Sequence, residues 1–472
     1  MEKLFKLKEN GTDVRTEVLA GITTFMTMAY ILAINPSMLS AAGMDATAVL
    51  IATCLSAFFG TMCMALFANY PFALAPGMGL NAYFAYTVCL GMGYDWRVAL
   101  SAVAVEGIIF IVLSLTNVRE AIFNAIPSML KKGVSAGIGL YIAFIGLQGA
   151  HIVVNSDSTL ITYVSFRSKF GTEGIRALLA GGSSSANYGH WTNWLVAFIT
   201  LAIVTFLNHF TKGFVKLASI LIGIIATWVL GMLCQAVGIY QVTPEEGFYS
   251  LYPSLAITDF SKFSLTFGQV FKADFSGVSI SNFIAILFAF LFVDMFDTIG
   301  TLVGVATKAD MLDKDEKLPR IKQALFADAI ATLVGAIFGT STTTTYVESS
   351  AGVGAGARTG LASVVTGLMF LLAIFFAPIF TAIPGFATAP ALIFVGFLMV
   401  TAVTDISFDD LTEAVPAYLC LLAMPLMYSI SEGIAIGVIS YVIINLFTKK
   451  AKKITPLMYV LAVLFVAKYI FL

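Results

Sequence analysis

Apolar runs dominate this sequence and decide what it can fold into. Crossing the hydrocarbon of a bilayer takes about 17 to 25 mostly apolar residues. Runs of that kind lie near 18–34, 48–67, 98–116, 133–149, 191–208, 215–238, 281–304, 320–338, 361–381, 387–405, 413–428 and 431–447. Of 472 residues, 59% are hydrophobic and 11% charged, against about 25% charged in soluble domains, so the chain reads as an all-α polytopic membrane protein. Two further stretches, 72–92 and 340–358, have the length but are too polar and glycine-rich for continuous helices. With them the count reaches about 14 transmembrane segments. A last apolar run, 454–472, follows a lysine cluster and reads as a C-terminal hydrophobic helix that either crosses or lies on the cytoplasmic face, the second being favoured.

Basic residues gather at Lys3, Lys6, Lys8 and Arg15, at Arg119, Lys131 and Lys132, at Lys212 and Lys216, at Lys308 to Lys322, and at Lys449 to Lys453. Excess Lys and Arg marks cytoplasmic loops, and one crossing per segment puts all five clusters on one side. The expectation is a multi-pass protein of the cell's inner (plasma) membrane with a cytoplasmic N-terminus, and with 150–190 and 239–279 outside. The polar stretch Met1 to Glu17 lacks the pattern of a signal peptide, so the first helix is expected to stay. A net charge of −1 gives no pointer to nucleic acid, and none is expected as a partner. Cys54, Cys63, Cys89, Cys234 and Cys420 have no paired spacing and read as small core residues. His151, His190 and His209 have no ligand-like spacing, so neither a metal nor a cofactor is expected.

The two halves superimpose. Thr23–Leu32 lies on Val293–Leu302 without a gap, with Thr27 opposite Asp297, and Ala75–Ala82 lies on Thr342–Ser349, with Asn81 opposite Glu348. Each half holds about seven elements; an odd number forces the second half to enter with opposite orientation, giving a 7+7 inverted repeat. Segments 3 and 10 are the odd stretches. Each starts with residues that break or extend the chain, Ala73–Gly79 and Ser341–Val347, and continues as a short helical stretch. Non-helical backbone at membrane depth is tolerated only inside protein or along a cavity, so each is expected to be a short strand plus a half-helix, the two strands pairing. Matching breaks point to a binding site near the midplane, with half-helix amides free to face it.

Ionisable groups at that depth are expensive and read as functional. Glu348 follows the second break, and Asp297 lies in the apolar run Phe288–Leu302. Asp294 is the competing acid on the same helix, Glu348 has capping as its plain alternative, and Glu106 reads as a structural hydrogen-bonding partner. The run Gly352–Gly356 lacks the strand and helix context of a phosphate loop and reads as a site of close helix packing.

The sequences Phe-Asp-Thr-Ile-Gly-Thr at 296–301, Thr-Thr-Thr-Tyr-Val-Glu-Ser-Ser-Ala-Gly at 343–352 and Ala-Pro-Gly-Met-Gly-Leu-Asn-Ala-Tyr-Phe at 75–84 together resemble the signatures of the AzgA-like purine permeases, a branch of the nucleobase-ascorbate transporter superfamily. The likeness runs from about Val14 to about Phe447. It implies a core domain of 14–132 and 280–382, a gate domain of 133–240 and 386–448, and proton-coupled purine uptake by an elevator-like motion, often in homodimers. It also implies a binding site of Asp297, Glu348 and Asn81; Thr27, opposite Asp297 in the repeat, and Thr301 and Val347 are expected to bind the substrate beside them. The position four after the first acid is Thr301 here, where the wider superfamily can have histidine or aspartate, so Asp297 or Glu348 must carry the proton. A planar, neutral base lined with donors and acceptors suits such groups: guanine and hypoxanthine are favoured, with adenine as the alternative. An anion (sulfate-like) carrier of the same superfold and a channel are the competing readings; neither a nucleophile nor a nucleotide motif suggests an enzyme.

Overall fold

The computed structural model describes residues 2–115, 126–150, 152–156, 160–163, 191–211, 214–237, 242, 250–253, 256–308, 311 and 318–471. Arg119, His151, His190 and Lys212 lie outside the described residues. Helices occupy the expected apolar runs, among them Ala46–Cys63, Trp96–Leu115, Ser128–Gly149, Ile280–Lys308, Ile321–Phe338, Gly360–Ala373 and Ile430–Phe447. Among the described residues, 8 stretches are long and apolar enough to cross a membrane. Helix starts follow local chemistry: Asp13, Asp45, Thr359, Asp410 and Ser429 each accept a hydrogen bond from an amide in the first turn.

The first segment is not one helix. It divides into Val14–Met28 and Ile31–Ser40, with a tightened turn in which Leu32 and Ala33 donate to the carbonyls of Ala29 and Tyr30, three residues back. Downstream, Pro36 has no N–H to return to the Leu32 carbonyl, which weakens the same stretch.

Both odd stretches are strand followed by half-helix. Leu74–Pro76 leads into Met78–Ala82 and then a π-helical stretch, Tyr83–Gly91; Thr343–Thr345 leads into Ser349–Gly354. The strands pair antiparallel, Leu74 with Thr345, Ala75 with Thr344 and Pro76 with Thr343. The ladder extends through Gly77 N–H to the Thr342 carbonyl (3.0 Å) and Tyr346 N–H to the Ala73 carbonyl (2.9 Å). All these strand residues are buried, so the extended backbone finds its partners within protein.

The chain forms two compact units. The first, Met1–Tyr141, Ile257–Ala377 and Met399–Leu472, contains both broken elements. Within it, Glu17 is fully buried and ties the first segment to the second half: its carboxylate accepts from the amides of Arg358 (2.7 Å), Thr359 (3.2 Å) and Ala362 (3.1 Å) at the start of Gly360–Ala373. Gly352 lets the second half-helix close on the first segment, because a Cβ there would fall 2.1 Å from Thr24 Oγ1. The C-terminal helix Pro456–Phe471 packs on Ile430–Phe447, and Phe465 meets Phe288 edge-on. The second unit, Ile142–Ala256 and Pro378–Leu398, holds Trp191–Phe210 and Ser219–Ala236, joined by a Thr200–Thr227 hydrogen bond of 2.5 Å, and a hairpin of Val153–Ser156 with Leu160–Tyr163.

Candidate functional site

The site is built on a run of hydroxyls. Thr340 to Thr345 are all buried, and β-branched threonine suits extended backbone. Thr340 Oγ1 accepts from Asn35 (3.0 Å), and Ser341 donates to Asn81 Oδ1. Thr342 donates to Glu106 Oε2 (2.7 Å), Thr343 pairs with Ser56 (2.6 Å) and Thr344 with Thr298 (2.6 Å). Successive side chains on a strand point to opposite faces, so the run is anchored on both sides. Glu106 thus acts as a hydrogen-bond acceptor for this strand. Thr345 Oγ1 is buried and has no hydrogen-bond partner among the described residues.

Glu348 occupies the N-cap of Ser349–Gly354, but its carboxylate makes no capping hydrogen bond. It accepts instead from the hydroxyl of Tyr30, at the break in the first segment. The expected free amides are not found at this half-helix: Ser349 and Ser350 donate to the carbonyls of Tyr346 (3.1 Å) and Val347 (2.9 Å). At this half-helix, that leaves the side chains as the polar groups on offer. Tyr346 donates to the Pro76 carbonyl (2.5 Å), and Ser349 Oγ accepts from the Ala73 amide (2.9 Å), so the two broken elements are cross-tied at each end.

Asp297 is half-buried on Ile280–Lys308. It lies beside Gly77, where an added Cβ would meet Asp297 Oδ2 at an ordinary 3.5 Å but would crowd Thr344 Cγ2 at 2.8 Å, so the glycine is what lets the two broken elements close. Asp297 and Glu348 lie within each other's electrostatic reach. Asp294 is fully buried behind them, with Thr298 Oγ1 2.9 Å from Asp294 Oδ1 and 3.1 Å from both Asp328 oxygens. Asn81 is fully buried; its Oδ1 is taken by Ser341 and its Nδ2 has no hydrogen-bond partner among the described residues.

The other expected residues are placed differently. Thr27 is buried but spends its hydroxyl on the Thr24 carbonyl (2.7 Å). Thr301 is half-buried, four residues beyond Asp297 on the same helix, and Val347 is exposed. Two residues the sequence reading passed over, Tyr30 and Tyr346, contact the site directly; the signal was a tyrosine next to a helix break and one beside the motif acid. All five cysteines are free, and no group of three or more potential metal ligands occurs among the described residues.

Comparison with known proteins agrees with this architecture. A family model described as "Permease family" matches residues 15–174 and 169–436. The chain is 44% identical to the guanine/hypoxanthine permease PbuG of Bacillus subtilis over 481 residues, covering 100% of each chain. It is 39% identical to the adenine permease AdeP of Escherichia coli over 472 residues, covering 100% of this chain and 96% of that one. The transmembrane domain of a cyanobacterium bicarbonate transporter, BicA, superimposes with a TM-score of 0.60 at 16% identity, over 90% of this chain and 97% of that one. This last likeness concerns the fold: an all-α membrane protein of about 14 segments in a 7+7 inverted repeat, with segments 3 and 10 broken. The resemblance to the nucleobase-ascorbate transporters is borne out, and the protein is a membrane transporter, not an enzyme. The chain belongs to this permease family.

Proposed function

We propose that this protein imports purine nucleobases by proton-coupled alternating access, with guanine and hypoxanthine favoured over adenine. The observation that carries the reading is the polar set at the broken elements. Asp297 and Glu348 offer carboxylate acceptors, and Asn81 keeps a fully buried amide nitrogen with no protein partner among the described residues. An unpaired buried amide costs about 1 to 3 kcal/mol, a cost that an acceptor on a planar base would remove. Relatives named for guanine/hypoxanthine and for adenine span the chain, which supports the substrate class.

In this reading Asp297 and Glu348 bind base and proton, Asn81 completes the recognition, and Thr27, Thr301 and Val347 line the approach. Residues 14–132 and 280–382 move as a core against a gate of 133–240 and 386–448, in a homodimer in the plasma membrane with the N-terminus inside. Core and gate are a partition by movement; the two compact units are a partition by packing in one conformation. The test is uptake of labelled hypoxanthine into proteoliposomes in sodium-free buffer, with and without an inward proton gradient. Accumulation driven by the gradient and blocked by guanine or adenine, but not by uracil or sulfate, is expected. Competition by sulfate, or no accumulation of any purine, would return the protein to the anion-carrier reading.

A further inference from the structure

Tyr30 sits where the first segment breaks, is fully buried, and donates its hydroxyl to Glu348 Oε1. A buried phenol needs a partner, and this one has been given the carboxylate proposed above to meet the base. A carboxylate offers two oxygens. With the phenol against Oε1, one lone-pair site of that oxygen is already taken, and Oε2 is the oxygen Tyr30 leaves for a ligand. We infer that Tyr30 is a positioning and specificity-determining residue: it fixes the Glu348 carboxylate and presents one oxygen, so that the site grips a base through a single ring N–H and gains nothing from an adjacent amino group.

The inference rests on the purine reading and separates two bases that otherwise look alike. Hypoxanthine presents N1–H alone on that edge, whereas guanine presents N1–H and an amino N–H side by side, a fork that matches both oxygens of a free carboxylate. While Tyr30 holds Oε1 the two bases engage Glu348 equally. Without the hydroxyl, guanine can take both oxygens, and hypoxanthine only loses a positioned acceptor.

The experiment measures initial rates of labelled hypoxanthine and guanine uptake in proteoliposomes for the wild type and Tyr30→Phe. In the wild type the two KM values should agree within about threefold. In the variant the hypoxanthine KM should rise about tenfold, the size of one charge-assisted hydrogen bond, with guanine changing less than about threefold and maximal rates retained. An equal rise for both bases would make Tyr30 merely structural, and unchanged constants would also overturn the inference. A wild type that already prefers guanine by more than about tenfold would show both oxygens in use, and overturns it without any variant, so the test survives poor expression of Tyr30→Phe. Absence of purine uptake by the wild type would defeat the purine reading and this inference together; wild-type uptake with an indifferent variant defeats the inference alone.

Discussion

Leu74–Pro76 and Thr343–Thr345 share one ladder, yet they are held in place by opposite means. The first strand has no hydrogen-bonding side chain, and its neighbours reach in. Thr61 bonds both the amide (2.9 Å) and the carbonyl (3.2 Å) of Leu74, Ser349 takes the Ala73 amide, and Tyr346 caps the Pro76 carbonyl. The second strand reaches out, each of its first two threonine hydroxyls meeting a different helix. The first element is therefore fixed by shape and backbone, the second by side-chain polarity. A polar anchor on one side and a smooth apolar face on the other leave Tyr30 as the side chain that bonds Glu348.

The strongest way to break this comparison is at the polar element's acid. Glu348→Ala should reduce hypoxanthine uptake about 100-fold, the upper range for losing a charge-assisted contact, while the purified protein keeps its yield and melting behaviour; wild-type uptake would remove Glu348 from the site. Next comes the apolar element's close approach. Gly77→Ala places a methyl 2.8 Å from Thr344 Cγ2 and should destabilise by about 1 to 3 kcal/mol, as overpacking does, with reduced uptake. A melting temperature in detergent equal to the wild type's would show that the two elements have room to spare.

Thr344→Val keeps the shape and removes the hydroxyl that meets Thr298. The expected loss is about 1 kcal/mol, read as a lower melting temperature with KM little changed, because this hydroxyl anchors the strand and does not face the base.

The smallest effect lies outside both elements. Asp410, at the start of Leu411–Leu426, is held well below the usual carboxylate range, first by the Thr412 hydroxyl and then by Lys453 and Lys450. A lowered folded-state value gives a contribution that is complete above the unfolded value, about 3.9, and is lost only as pH falls through the folded one. Asp410→Asn should therefore lower the melting temperature by about 1 °C, equally at pH 7 and pH 5. A difference that shrank at pH 5 would contradict the direction of that shift.

Much of this architecture is legible in the sequence because the bilayer leaves few choices. Apolar length located the helices, and the Pro-Gly and polythreonine stretches could only be breaks. The motif acids fell beside those breaks. What escaped has a physical reason in each case. Tyr30 was invisible because its partner lies in the other half of the chain. Glu17 looked like part of a polar N-terminal stretch, yet it caps a helix that begins more than three hundred residues later. The free amides expected at the second half-helix were absent because the turn from Tyr346 to Ser350 consumes them.

The three-residue ladder also has a meaning for how the chain is made. Leu74–Pro76 pairs with Thr343–Thr345, so the first strand's partner is synthesised only after most of the protein. Until then Ala75 has no strand partner and the Pro76 carbonyl lacks its Tyr346 donor, and unsatisfied backbone groups in hydrocarbon cost several kcal/mol each. The nascent first half must therefore hold that stretch near water or against the insertion machinery. Completion of the second half, not insertion of the first, is the event that commits both to their places.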